Sequence, residues 1–265
     1  MMKRFASMAL AIALVAMLIP MAAAFATTPQ AAANQDTLTI SGTEHYDMAQ
    51  QALDIVNKER TALGLAPLQF DEELMKTAML RAAEVSVYYG YDERSESYKF
   101  NKRPDGSEWS TAFPVIDDSE DCFRGESVAA GQKSAAAVMQ TWLYDARQVY
   151  RWEEQDITLE AALAAGTYRL PSGVLITEDT SDRWVSISYE NIISPDYKST
   201  GIGCFYQGGV FYWQQSFDSA EATGSVKSGK VDVTRQISVD YDCCGTNQAL
   251  NADLDPQLKP SLAPG

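Results

Sequence analysis

The stretch Gly125-Glu126-Ser127-Val128-Ala129-Ala130-Gly131 decides how this chain is read. It sets one carboxylate among small and apolar residues, between two glycines. Eleven residues beyond Gly131 stands Trp142, on a segment where Ala135, Val138, Met139 and Trp142 recur at helical spacing. Ser134 is placed to cap that helix, expected over Ser134–Ala146. Asp145 follows Trp142 by three residues and gives the centre of the chain a second carboxylate.

Upstream, two amphipathic helices are expected. The first spans about Asp47–Leu63, with Met48, Ala52, Ile55, Val56 and Leu63 on one face, Asp47 as its cap and Gly64 as its stop. Pro67 holds the joint that follows extended. The second spans about Asp71–Tyr89, with Leu74, Ala78, Ala82, Val85 and Tyr89 as its buried stripe. Asp71 can cap it, and Glu72 and Glu73 suit its positive end. Tyr88, Tyr89 and Tyr91 read as core packing with hydroxyls turned outward rather than as a stacking shelf. Residues 92–121 are polar, with Trp109 and Phe113 expected to pack down onto the helices. Downstream, strands are expected at Gly201–Tyr206 and Val210–Phe217, joined by Gln207-Gly208-Gly209; Gly-Gly suits a tight hairpin.

Around the central stretch, three further segments fall in a fixed order. They are Val56-Asn57 with Arg60 and Gly64-Leu65-Ala66-Pro67-Leu68; Phe100-Asn101-Lys102-Arg103-Pro104-Asp105-Gly106; and Asn191-Ile192-Ile193-Ser194-Pro195 with Tyr197 and Thr200-Gly201-Ile202-Gly203. In these segments the chain resembles the CAP superfamily, also called the SCP or cysteine-rich secretory/pathogenesis-related-1 fold, in its bacterial secreted form. The resemblance runs from about Tyr46 to Phe217. It implies an α+β fold: an α-β-α sandwich in which helices flank a small antiparallel sheet, with a cleft on one side. Bacterial members commonly read Gly-Glu-Asn-Ile-Ala-Ala-Gly in the central stretch, so Ser127 and Val128 depart from the pattern while Glu126 matches.

In many members two histidines and two acids line that cleft and can bind zinc or another divalent ion. Carried over by position, the set here is Asn101, Glu126, Asp145 and Ser188. Relatives read Phe-Ser-His-Thr-Arg-Pro-Asp-Gly where this chain places Asn101, and His-Arg-Ala-Asn-Ile-Leu where it places Ser188. Both imidazoles are gone. Imidazole supplies most of the affinity of a small nitrogen/oxygen zinc site, and two carboxylates alone hold a hard, hydrated ion loosely. No metal or other cofactor is therefore expected. A Ser or Cys triad fares no better, because it needs a base. His45, the only histidine in the chain, reads as an exposed loop residue just before the first helix.

Residues 1–26 read as a secretory signal: Lys3 and Arg4, an apolar run over Ala9–Ile19, and a small-residue cleavage site at Ala24-Phe25-Ala26. No later segment is apolar enough to span a bilayer, so an extracellular protein without stable membrane insertion is expected. The net charge is −15, and −17 without Lys3 and Arg4. That sign disfavours nucleic acid as a partner. Residues 27–45 read as a linker, with a short extended segment at Thr37–Ser41. Residues 218–265 read as a partly disordered extension, with one weak strand over Val231–Val239. Cys122, Cys204, Cys243 and Cys244 make disulfides possible in an exported chain and leave the pairing open.

The matching family positions enclose an insertion at about 147–183. It contains a short helix over Leu159–Ala165 ended by Gly166, and a hairpin of Tyr168–Leu170 with Val174–Ile176 about Pro171-Ser172-Gly173. Such a block reads as a folded lid or flap. Trp152, Tyr168, Leu170 and Ile176 are its candidate recognition residues. The expected function is a non-catalytic binding or interaction module with a degenerate metal cleft, whose extracellular ligand is a protein, a glycan or a lipid. The alternatives are a hydrolase-type enzyme using Glu126 and Asp145, with or without a divalent ion, and an extracellular lipid or sterol carrier.

Overall fold

The computed structural model describes residues 35–89, 91–92, 97–98, 101–113 and 124–240. In order, its elements are β1 (Gln35–His45), α1 (Tyr46–Ala62), β2 (Gln69–Phe70), α2 (Glu72–Val87), the short strands β3 (Tyr91–Asp92) and β4 (Ser97–Tyr98), and β5 (Arg124–Ala130). There follow α3 (Ala135–Met139), a π-helical turn (Gln140–Asp145), α4 (Ala146–Glu153), α5 (Leu159–Ala165), α6 (Ile187–Ile193), β6 (Ser199–Gln207), β7 (Val210–Asp218) and β8 (Lys230–Asp240). The main sheet runs β5-β7-β6-β1-β8, all antiparallel, with β2 joined in parallel to β6.

Alternation along β6 assigns the two faces of this sheet. Gly201 and Gly203 face α2. A Cβ on Gly203 would fall 2.0 Å from the Ala78 carbonyl oxygen, and one on Gly201 would fall 2.1 Å from that of Leu74. Only glycine lets the α2 backbone lie this close to the strand. Ile202 and Cys204 point the other way, into the main core with Ala49, Ala52 and Val56 of α1 and with Trp142. Helices thus cover both faces, and the chain is an α-β-α sandwich. The β6–β7 hairpin turns on Gly208 and Gly209, both at positive φ as a tight hairpin turn requires.

The motif residues of the first helix explain themselves. Asn57 exchanges two hydrogen bonds with the Leu68 backbone, at 2.8 and 2.9 Å. The buried Arg60 guanidinium donates to the carbonyls of Ala66, Ile192, Ser194 and Tyr197. Together they tie the α1–β2 joint to the end of α6. Asp71 caps α2 as expected, accepting from the Glu73 and Leu74 amides. Asp47 does not cap α1. The amides of Tyr46 and Asp47 donate instead to the Gly229 carbonyl, brought in from the other end of the chain.

That contact belongs to a larger departure from the sequence reading. The extended segment expected at Thr37–Ser41 grows to β1 from Gln35 to His45, and the strand expected over Val231–Val239 is β8, so the stretches read as linker and extension belong to the sheet. The two pair residue by residue, from Gln35 with Asp240 to His45 with Lys230. Ile40, Ile237 and Val239 of this ribbon pack onto Ala82, Ala83, Val87 and Tyr88. His45 is not exposed. It is buried as the last residue of β1, its ring edge-on to Phe211 at 5.3 Å between centroids.

The third helix also runs past its expected end. α3, the π turn and α4 follow one another without a break from Ala135 to Glu153. The first residues of the stretch expected as an insertion, Arg147–Glu153, thus continue the third helix. Cys204 is a free thiol sealed in the main core, and burial pushes its titration far up. Pairings that use Cys204 are thereby corrected. The signal segment, Cys122, Cys243, Cys244 and the tail after residue 240 lie outside the described residues.

Candidate functional site

β5 places Glu126 by alternation. Gly125, Ser127 and Ala129 face the α1 side, and Glu126 and Val128 face α2. Gly125 is required there, since a Cβ would fall 2.7 Å from both Asn191 Oδ1 and the Tyr197 hydroxyl. On the opposite face Glu126 meets a guanidinium. Arg81 Nε donates to Glu126 Oε1 at 2.8 Å and a terminal nitrogen of Arg81 donates to Oε2 at 3.2 Å. Gln214 of β7 adds a bond to Oε1 at 3.0 Å.

The chain of charges continues away from β5. Arg81 also donates to Glu84 at 2.9 Å, and Arg103 clasps the other side of Glu84 at 2.6 Å. Two guanidiniums and two carboxylates thus alternate along the α2 side of the sheet. The side chains of Arg81, Glu84 and Glu126 are 1, 4 and 8 % exposed. Burial works against the Arg81 charge, but Glu126 and Glu84 outweigh it and hold the guanidinium above its ordinary range. Burial likewise opposes the Arg103 charge, and Glu84 outweighs it. At such exposures a carboxylate is tolerable only when paired, and here each one is.

The other acid has a different task. Asp145 closes the π turn and is buried. Its Oδ1 accepts from the Ser172 amide at 2.9 Å and from Gln140 Nε2 at 3.0 Å. Ser172 lies at the tip of the predicted hairpin, so Asp145 pins the insertion to the family core. Ser188 is buried in the first turn of α6, the element that packs against β5 through Asn191, whose Nδ2 donates to the Glu126 carbonyl at 3.3 Å. Asn101 stands exposed at the head of the loop that carries Arg103.

The set does not fit zinc. Both Glu126 oxygens are held by Arg81, one Asp145 oxygen is held by a backbone amide, and the other two positions offer an amide and a hydroxyl, which are weak ligands. Among the described residues, no three His, Cys, Asp or Glu side chains gather as a metal site needs.

Beyond Glu153 the insertion folds as expected. Thr158 caps α5 and Gly166 closes it at φ 61°. In the hairpin the Leu170 amide donates to the Val174 carbonyl and the Ile176 amide to the Tyr168 carbonyl. The four residues expected to face a ligand turn inward instead. Trp152, Leu170 and Ile176 are buried with Val149, and the partly buried Tyr168 packs against them. Trp152 stacks on Trp184 at 5.2 Å and meets Tyr168 edge-on at 5.1 Å. They build a satellite core because the lobe has too few apolar residues to fold and also display them. The apolar groups left exposed nearby are Tyr144, Val185 and Ile187, where the lobe leaves and rejoins the family core.

Sequence reasoning missed Arg81, Glu84, Arg103 and Gln214. A signal was present. Arg81 and Glu84 sit three apart within the buried stripe of α2, where an unpaired charge would be costly.

The model of the CAP family, the cysteine-rich secretory protein family, matches residues 53–217. The chain belongs to that family. The chain is 27 % identical over 117 residues to the uncharacterized protein YkwD of Bacillus subtilis (strain 168), covering 43 % of this chain and 41 % of YkwD. An extracellular SCP-domain protein of Bacillus anthracis str. Ames superposes with a TM-score of 0.37 at 13 % identity, over 65 % of this chain and 40 % of that one. The venom allergen-like protein 4 of Schistosoma mansoni superposes at 0.32 and 12 %, over 69 % and 92 %. The chain spans about two-fifths of the length of YkwD and of the B. anthracis protein.

Proposed function

We propose that this CAP-domain protein is a secreted, extracellular binding module that works without a metal ion and without catalysis. One observation carries the reading: both acids at the family's cleft positions are already engaged inside the protein. Glu126 is neutralised by Arg81, and Asp145 holds the insertion. A general acid or base must reach a substrate proton, and a nucleophilic carboxylate must reach a carbon. Glu126 could do so only by breaking its buried ion pair with Arg81, and Asp145 is buried with one of its two oxygens already committed to the Ser172 amide. No helix among the described residues is long and apolar enough to cross a membrane, which is compatible with release from the cell.

The partner, a protein, glycan or lipid, meets the insertion lobe and its seam with α6, where Val185 and Ile187, the first residue of α6, stand exposed. Trp152, Tyr168, Leu170 and Ile176 serve recognition indirectly, by giving that lobe a fixed shape. The acidic balance of the chain favours partners that are neutral or basic.

The test has two arms. Zinc chloride titrated into the purified mature protein, followed by elemental analysis, should give no stoichiometric metal. One zinc per chain, lost on Glu126→Ala, would overturn the metal-free reading. Glycan arrays and mass spectrometry of co-purified lipid supply ligands for the second arm. A ligand bound equally well by a folded variant with residues 154–183 replaced by a short Gly-Ser link would show the lobe to be ornament.

A further inference from the structure

The chain's single histidine ends β1 and precedes the first turn of α1, with no side chain capping that helix. Its Nδ1 is buried and has no hydrogen-bond partner. Asp47 Oδ1, in that first turn, is also buried and without a partner. The two atoms face each other 3.6 Å apart, too far for a hydrogen bond. Two orphaned polar atoms at one joint are uncommon in a folded interior.

Every packed element contributes to this corner. β6 brings Tyr206 and β7 brings Phe211, both with their rings inclined to the imidazole. β8 brings Lys230, the register partner of His45, and Asp232. α1 brings Asp47 together with the positive end of its backbone dipole. Glu44, next in the chain, is committed elsewhere, to Tyr46 and Arg235. Asp47 and Asp232 favour a proton on the ring. Burial, Lys230 and the helix end oppose it.

We propose that His45 is an acid-sensitive joint: a proton on its buried ring loosens the seat of the β1–β8 ribbon at the mouth of α1. Above its titration range the neutral ring packs edge-on against Phe211. A protonated ring is drawn toward Asp47 Oδ1, 3.6 Å from Nδ1, at the expense of its edge-on packing against Phe211. Ring and ribbon move together, because His45 and Lys230 are the last rung of the β1–β8 ladder. Burial, the largest influence on the ring, lowers its titration below the ordinary 6.5. The unfolded chain then takes up a proton that the folded chain refuses. Stability from this group is present above pH 6.5 and is lost as pH falls through the lower folded value.

A lone histidine makes the test clean. Ring NMR signals of the full chain should titrate as one curve with a midpoint below 6.5. A midpoint at or above that value overturns the proposal. Amide hydrogen exchange, corrected for intrinsic rates, is then compared at about pH 7.5 and about pH 5.5. Protection at 43–46 and 230–232 should fall roughly tenfold at the lower pH, while β5–β7 holds. The same loss in His45→Phe, which cannot titrate, or no loss in the wild type, refutes the idea. If His45→Phe does not fold, His45→Gln supplies the same comparison.

Discussion

Arg81→Met is the sharpest probe of the charge chain. The substitution keeps most of the side-chain volume and removes the guanidinium. Glu84 keeps Arg103, which holds it through bonds of 2.6, 3.0 and 3.2 Å. Glu126 keeps only Gln214. One carboxylate with 8 % of its side chain exposed is left without a cation. Stranding a buried charge in this way costs about 3–5 kcal/mol. The loss should be read by chemical denaturation with linear extrapolation at constant slope. It should be smaller at acid than at neutral pH when each is referred to wild type, because protonation removes the stranded charge. Adding Glu126→Leu should recover much of the loss, since an apolar pair replaces a broken ionic one. A loss under about 1 kcal/mol, the range of an exposed pair, would show that water reaches Glu126 and that the network is a surface feature. Equal losses at both pH values, or full additivity of the two substitutions, would refute the pairing as the source of the effect.

Trp142→Ala should lower stability by about 3–5 kcal/mol, because the indole is buried in the main core and also donates to the Val128 carbonyl; an unchanged denaturation midpoint would contradict that burial. Gly203→Ala forces a methyl toward the Ala78 carbonyl of α2, and an overpacking loss of about 1–3 kcal/mol is expected in the same assay. Asp145→Ala should release the hairpin tip, seen as faster proteolysis around Ser172 while β5–β7 stays protected; cleavage kinetics identical to wild type would mean that the lobe is held by its aromatic core alone.

What was legible in the sequence was local. Asp71, Ser134 and Gly166 announce their helix ends, since a cap is written within four residues of what it caps. The α5 helix and the hairpin after it were readable for the same reason. Of the β1–β8 ribbon, the segments Thr37–Ser41 and Val231–Val239 were legible as strands, but their pairing was not, because they lie about 190 residues apart. The family positions located Glu126 and Asp145 but not their partners. Arg81 comes from α2, Gln214 from β7 and Ser172 from the lobe, and only the folded chain brings these together. His45 reads as a loop residue because the extended segment expected at Thr37–Ser41 stops short of it, whereas β1 runs on to His45. The inward turn of Trp152 and Leu170 was missed because an apolar residue in an insertion reads equally as display and as core.

The π turn at Gln140–Asp145 sets the direction in which the lobe points. A π turn carries one residue more than an α turn would, and each residue of a helix advances about 100° and 1.5 Å. Val138 before the turn and Trp142 and Leu143 within it pack into the main core; after it, Val149 and Trp152 pack into the core of the lobe. Deleting a single residue there would restore a plain helix. Everything downstream would swing by about 100°, and Trp152 would be carried away from Trp184 and Tyr168. The orientation of some thirty residues therefore depends on a count of one, and a lobe of the same sequence on a regular helix would face another way.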